Sequence, residues 1–140
     1  MRIERVTDAA TVDLGAGLFD GPSLPEATAR FLESPDHHLL FAYDDGDDVI
    51  GMVSGVETTH PDKGTEMFLY ELGVVEHARR RGVATTLVQA LAALSREKGC
   101  YGMWVGVDSD NEAALATYRR AGGHGDPPTV IMAWDFSDAS

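Results

Sequence analysis

A long apolar stretch runs into an amphipathic helical pattern through a loop of three consecutive arginines and one glycine. The apolar residues of Met67–Val75 predict a strand. After Gly82 the apolar spacing changes to three or four residues, at Val83, Leu87 and Leu91, which predicts a helix running to about Lys98. Because such a strand and helix each bury one apolar face, the chain is restricted to a sheet covered by helices.

The remaining segments complete an α/β pattern. Further strands are predicted at Arg2–Thr7, His37–Tyr43, Val49–Thr58, Tyr101–Val107 and Val130–Phe136, and further helices at Asp8–Leu18, Glu26–Glu33 and Asn111–Ala121. Short polar turns such as Asp44–Asp48 predict antiparallel neighbours in the middle of the sheet. We therefore expect one α/β (α+β) domain over residues 1–140, with a mixed, mostly antiparallel central sheet and helices on both faces.

The net charge of −12 is unevenly distributed, and basic residues outnumber acidic ones only in the segment 79–120. An acidic surface repels nucleic acid and anionic membranes, so we expect neither as a partner. A small anion suits the basic segment and a cationic ligand suits the acidic remainder, although acidity that serves only solubility is an equally open interpretation. With no signal segment and no membrane-spanning apolar run, we expect a soluble cytoplasmic protein.

Cysteine and histidine suggest no special chemistry. Cys100 is the single cysteine, which excludes an intrachain disulfide and favours a small buried apolar side chain. His37 and His38 are adjacent, so in a strand they would point to opposite faces, which suits metal ligation poorly. We expect no metal.

The arginine loop has the features of an anion site. Backbone N–H groups at a helix start lack intrahelical partners, and the helix dipole favours an anion there. Gly82 allows close backbone approach, and Arg79–Arg81 add charge-assisted hydrogen bonds. This pattern, Arg79-x-x-Gly82-x-Ala84, predicts a pyrophosphate site, although a solvated basic loop is the simpler alternative. The phosphate motifs GxxxxGK[ST] and GxGxxG are absent.

Glu71 interrupts the apolar run Met67–Val75. Burial of a carboxylate raises its pKa, which would make Glu71 a suitable base for an ammonium substrate. Strict strand alternation would place Glu71 on one face with Leu69 and Gly73, and Tyr70 on the other. The alternative is a structural carboxylate paired with an arginine.

The arginine motif, together with Asn111–Gly123 (NEAALATYRRAGG), resembles the signature of GNAT acetyltransferases, although Gly–Gly stands where the family usually has Gly–Phe. The resemblance covers nearly the whole chain and implies acetyl-CoA as the acetyl donor. The implied donor-binding residues are Leu72, Gly73 and Val74 for the pantetheine arm, Arg79, Arg80, Arg81, Gly82, Val83, Ala84 and Thr85 for the pyrophosphate, and Asn111, Ala114 and Tyr118 on one helix face.

We expect direct transfer in a ternary complex, and no acyl-enzyme is needed, which agrees with the lack of a convincing cysteine nucleophile. Tyr118 would protonate the leaving thiolate, and Glu71 would act as the base or position the ammonium. An ordinary packing aromatic is the alternative for Tyr118.

Three runs, FLYELGV, RRRGVATTL and IMAWDF, resemble the aminoglycoside 3-N-acetyltransferase family, as does Asp108 at ten residues before Tyr118. This implies acetylation of an aminoglycoside at its 3-amino group, and a homodimer. Glu71 stands where that family usually has Asp. The candidate acceptor-binding carboxylates are Glu57, Glu71, Asp108, Asp110 and Asp135. The alternatives are acetylation of another small amine or a protein terminus or lysine, and a non-catalytic acetyl-CoA-binding domain.

Overall fold

The computed structural model describes residues 1–125 and 131–136 of the chain. The chain divides into two compact units, Met1–Val105 and Gly106–Ser140, which are described separately below. Within the described ranges, no helix combines the length and the apolar character that crossing a membrane requires.

The first unit contains a five-stranded sheet in the order β1-β2-β3-β4-β5. Its strands are β1 (Arg2–Arg5), β2 (His37–Tyr43), β3 (Val49–His60), β4 (Gly64–Val74) and β5 (Met103–Trp104), and its helices are α1 (Ala9–Leu14), α2 (Pro25–Glu33) and α3 (Val83–Glu97). β1 to β4 pair antiparallel, whereas β5 runs parallel to β4. The mixed, mostly antiparallel sheet expected from the sequence is therefore confirmed.

Helix α3 covers one face of this sheet at close range. A Cβ atom on Gly51 would lie 2.9 Å from Leu87 Cδ1, and one on Gly55 would lie 3.0 Å from Leu91 Cδ2. The two strand glycines therefore allow the apolar stripe of α3 to approach the sheet backbone. The predicted helix and its buried stripe are both confirmed.

The opposite face is covered by the helices near the N-terminus. Val12 of α1 packs in one cluster with Leu39, Phe41 and Met52, together with the partly buried Phe31 of α2. A helix over Asp8–Leu18 was expected, but α1 ends at Leu14, and a separate 3-10 turn covers Ala16–Leu18. Helices thus lie on both faces of the sheet.

β4 carries one residue more than its partner β3 at the centre of their pairing. Ser54 lies opposite Glu71 and Gly55 lies opposite Leu69, which leaves Tyr70 as the extra residue of a β-bulge. Leu69 is buried on the α3 face with Gly55, whereas Glu71 lies on the other face with Ser54. The alternation expected from the sequence was wrong here, because an inserted residue reverses the side-chain direction after it.

The second unit contains helix α4 (Glu112–Arg120), close to the expected Asn111–Ala121. The predicted strand Val130–Phe136 is wrong over residues 131–136, which are exposed and form no strand, while Val130 lies outside the described residues. Of the predicted strand Tyr101–Val107, the residues Met103–Trp104 form a strand, which is β5 of the first unit. In both cases an apolar run predicted a strand, but strand formation also requires a backbone partner along its length.

Candidate active site

The pairing between β4 and β5 ends just before the bulge. It comprises two residue pairs, Met67 with Met103 and Phe68 with Trp104. Beyond Phe68, β4 continues for six further residues to Val74 with only β3 as a strand neighbour in the described ranges. One edge of β4 is therefore open beside Glu71.

The open edge presents backbone donors. The N–H of Glu71 donates to Ser54 Oγ over 3.2 Å, and the N–H of Val75 donates to Ile50 O over 2.9 Å, so both point toward β3. Because successive strand amides point to opposite edges, the N–H groups of Leu72 and Val74 point to the open edge. These two donors suit the carbonyl or amide oxygens of an extended ligand.

The loop after β4 adopts two left-handed backbone conformations. Arg80 has a φ of 64° and Gly82 has a φ of 79°. Glycine adopts such a conformation without strain, whereas arginine does so only at a cost, and strained residues concentrate at functional sites. The Arg79 side chain donates from Nε to Val74 O over 3.2 Å, which fastens the loop to the open edge of β4.

Among the residues that the structure describes, no side chain caps the start of α3. Its N-cap residue is Gly82, and the first turn contains no acidic residue. By contrast, Asp8 accepts a hydrogen bond from Thr11 N at the start of α1. The first amides of α3 therefore keep their donors for an external anion, and three exposed arginines precede them. These residues fit the diphosphate expected from the sequence.

A shallow depression of about 240 Å³ adjoins the start of α3. Its lining combines apolar and charged side chains, namely Met1, Asp44, Asp45, Ile50, Arg81 and Val83. It provides room for a group attached to an anion bound at this helix start.

Glu71 is half-buried and has a raised pKa. Burial is the main cause, and the negative charge of Asp20 raises the pKa further. Among the described residues, the Glu71 carboxylate has no ion pair and no hydrogen bond, so the interpretation as an arginine-paired structural carboxylate is not supported. Nearby, a Cβ on Gly73 would lie 3.3 Å from Leu18 O, which places the 3-10 turn against this part of β4.

Sequence reasoning missed an aromatic group on the same face as Glu71, which we call the aromatic strip (Phe68, Tyr70 and Trp104). The ring centroids of Phe68 and Trp104 are 4.4 Å apart and stacked, and those of Phe68 and Tyr70 are 5.8 Å apart. Strict alternation concealed this group, because it placed Tyr70 on the opposite face from Glu71. The unusual density of aromatic residues in FLY was the available signal.

Glu57 lies on the opposite face of the sheet from Glu71, so the structure does not bring these two acceptor candidates together. It is opposite Met67 on the α3 face, and its Oε2 lies 2.6 Å from Nε2 of the buried His38. Burial lowers the pKa of His38 more than Glu57 raises it. Glu57 thus faces the other side of the sheet and contacts His38, and its role at the acceptor stays a prediction.

In the second unit, Asn111 caps α4 by accepting a hydrogen bond from Ala114 N at Oδ1 over 3.1 Å. Tyr118 is half-buried on the same helix, and burial raises its pKa, so the phenol keeps its proton at neutral pH. Asp108 and Asp110 are exposed before α4, and Asp135 is exposed in residues 131–136. The roles given to these six residues, Ala114 included, stay predictions.

Comparison with known proteins identifies the family of this chain. The acetyltransferase (GNAT) family profile matches residues 7–123, a range that extends into both compact units. The chain is 28% identical over 120 residues to the uncharacterized N-acetyltransferase YycN of Bacillus subtilis, covering 85% of this chain and 76% of that protein. It is 31% identical over 78 residues to N-alpha-acetyltransferase 30 of Schizosaccharomyces pombe, covering 56% of this chain and 52% of that protein.

Solved structures with a similar fold include the aminoglycoside acetyltransferase meta-AAC0020 from an uncultured soil metagenomic sample. Its complex with trehalose matches with a TM-score of 0.85 and 19% identity, covering 97% of this chain and 96% of that one. The same enzyme is also known in complex with sisomicin. At this level of identity the similarity shows a shared fold.

Proposed function

This chain belongs to the acetyltransferase (GNAT) family, and we propose that its acceptor is an aminoglycoside amine. The family uses acetyl-CoA, which supplies the acetyl group as a thioester. The chain is accordingly an N-acetyltransferase.

The donor site is assigned to the open edge of β4 and the uncapped start of α3. The amides of Val83–Thr85 and the preceding arginines bind the diphosphate. The open-edge N–H groups of Leu72 and Val74 bind the pantetheine arm and the carbonyl oxygen that gains negative charge during transfer. Val74 O already accepts a hydrogen bond from Arg79 Nε, so this carbonyl is less able to accept a hydrogen bond from the ligand.

Glu71 is assigned the role of base. The acceptor arrives as an ammonium ion, and nitrogen must lose a proton before its lone pair can attack the thioester carbon. A half-buried carboxylate without a partner in the described residues can attract the ammonium and accept its proton. Tyr118 is assigned, from the sequence, the donation of a proton to the departing thiolate.

The acceptor class rests on charge and on the sequence resemblance. The net charge of −12 favours a polycationic substrate, and Asp20 adds negative charge near Glu71. The runs that resemble the aminoglycoside 3-N-acetyltransferase family favour the 3-amino group. Asp108, Asp110 and Asp135 are retained as candidate contacts to the other ammonium groups.

The single observation that carries the proposal is the open edge of β4, which lies between the start of α3 and the Glu71 carboxylate, neither of which has a side-chain partner among the described residues. The test is a thiol-release assay with acetyl-CoA across aminoglycosides that bear or lack a free 3-amino group. We expect turnover of those that bear it. Turnover of polyamines or peptides but of no aminoglycoside would contradict the acceptor assignment, and donor binding without turnover of any amine would contradict catalysis.

A further inference from the structure

The face of β4 that carries Glu71 continues toward the start of the strand. The β3 partners on this face alternate regularly, and the opposed pairs are Ser54 with Glu71, Val56 with Phe68, and Thr58 with Glu66. Glu66 and Glu71 therefore lie on one face, about 14 Å apart along the sheet, because their β3 partners Thr58 and Ser54 are four residues apart at about 3.4 Å per residue. The aromatic strip lies between these two carboxylates.

The aromatic strip is exposed although its rings are packed against one another. Tyr70 is 65% exposed and Trp104 is 49% exposed. The stacking of Trp104 on Phe68, with ring planes 29° apart, holds the indole in a fixed orientation. Exposed aromatic faces attract cations, and a fixed orientation lowers the entropy that binding would cost.

Glu66 is fixed by hydrogen bonds at the end of the aromatic strip that is farther from Glu71. Its carboxylate accepts a hydrogen bond from Tyr101 Oη over 2.6 Å, and His60 Nε2 lies 3.4 Å from it. The hydrogen bond from Tyr101 is the main cause that lowers the pKa of Glu66. Glu66 is therefore a fixed negative charge beside the aromatic strip at neutral pH.

We propose that the aromatic strip and Glu66 form a second acceptor subsite, which binds a distal ammonium-bearing group while the reacting amine lies at Glu71. This inference rests on the proposed function. The separation of the two carboxylates selects extended acceptors with ammonium groups near both ends, and the aromatic faces between them contact the body of the molecule.

The binding test uses the intrinsic fluorescence of Trp104. The chain has two tryptophans, so Trp134→Phe leaves Trp104 as the only one. This protein is titrated with kanamycin B and with neamine, which lacks the third, ammonium-bearing ring. We expect a saturable change in Trp104 emission with kanamycin B, and about tenfold weaker binding of neamine, the effect of losing one close cation contact.

Glu66→Gln, which retains an oxygen acceptor for Tyr101, should weaken kanamycin B binding about tenfold and leave neamine binding almost unchanged. Asp62→Asn is the matched control, because it removes one negative charge from the exposed turn next to β4. Equal effects of both substitutions would mean that only overall charge matters, and would overturn the subsite.

Steady-state kinetics separates this inference from the proposed function. Trp104→Leu and Glu66→Gln should each raise the KM for kanamycin B about tenfold and leave the KM for acetyl-CoA unchanged. Turnover with an unaltered acceptor KM in both variants would overturn the subsite alone. Absence of turnover with every aminoglycoside would overturn the proposed function, and the fluorescence titration would still test the subsite. A change in Trp104 emission with protein concentration alone, caused by a second copy covering the strip, would also overturn it.

Discussion

The backbone N–H of Glu71 donates to the side-chain oxygen of Ser54 over 3.2 Å, at the position where β4 gains its extra residue. A hydroxyl thus serves as the partner of an amide that a regular ladder would pair with a carbonyl. The contact fixes the backbone of the proposed base and, through strand alternation, the direction of the next amide, Leu72 N–H. The bulge, the position of Glu71 and the direction of the Leu72 and Val74 amides therefore depend on one local backbone geometry.

Ser54→Ala should weaken this geometry. The substitution leaves the Glu71 N–H without its partner, which should lower the free energy of unfolding by about 1–3 kcal/mol and reduce kcat. Ser95→Ala is the matched control, because Ser95 is also buried but its hydroxyl donates to Leu91 O within α3. Urea unfolding and thiol-release kinetics measure both effects. Equal activity in the two variants would contradict a role for Ser54 in positioning Glu71.

The pH dependence of the rate should report the raised pKa of Glu71. The ionised carboxylate accepts the proton, so kcat/KM should fall as the pH decreases through this pKa, above the ordinary range of a glutamate. Asp20→Asn removes a charge that raises the pKa, and should move the acid limb to lower pH. Glu71→Gln should lower kcat by roughly 10²–10⁴-fold and abolish this limb. An unchanged limb in Glu71→Gln would exclude Glu71 as the titrating base.

Glu71→Gln should increase the stability of the protein at neutral pH although it lowers the activity. Because the folded state raises the pKa of Glu71, its contribution to stability is present below the unfolded pKa and is lost as the pH rises through the folded pKa. Glu71→Gln should therefore increase the melting temperature at neutral pH, with a gain that disappears in acid. A lower melting temperature at neutral pH would indicate a stabilising partner for Glu71.

The arginine loop offers a test of backbone conformation. Gly82 has a φ of 79°, and no atom of the described residues lies within 4 Å of an added Cβ. Gly82→Ala should therefore cost about 1–2 kcal/mol through strain alone, and should raise the KM for acetyl-CoA. Gly17→Ala also enters open space but without a positive φ, and should cost almost nothing. Chemical denaturation and donor-saturation kinetics compare the pair. Equal stability of the two variants would contradict the left-handed backbone conformation at Gly82.

Much of the fold could be predicted from the sequence, because periodicity is a local property. The apolar stripe of α3 and the continuous apolar run of β2 are examples whose observed positions match the expectation closely. The uncapped glycine at the start of α3 could also be read directly, because the residue that precedes the helical pattern is visible in the sequence.

The bulge at Tyr70 could not be predicted, because it depends on the register of two strands rather than on either strand alone. That one residue changes which side chains share a face with Glu71, and so the aromatic strip was missed. The contact between Glu57 and His38 could not be predicted for a related reason, because it joins side chains of the two strands β3 and β2 on the α3 face. The predicted strand at 131–136 failed because an apolar run does not specify a backbone partner.

The central claim is that the donor lies along the open edge of β4 with its diphosphate at the start of α3. The most direct measurement is a ¹⁵N-resolved NMR titration of the protein with coenzyme A. The account predicts that the largest amide shifts occur at Leu72, Val74 and the residues 80–85, with slower hydrogen exchange at Leu72 and Val74. Saturable binding that leaves these amides unshifted would contradict it.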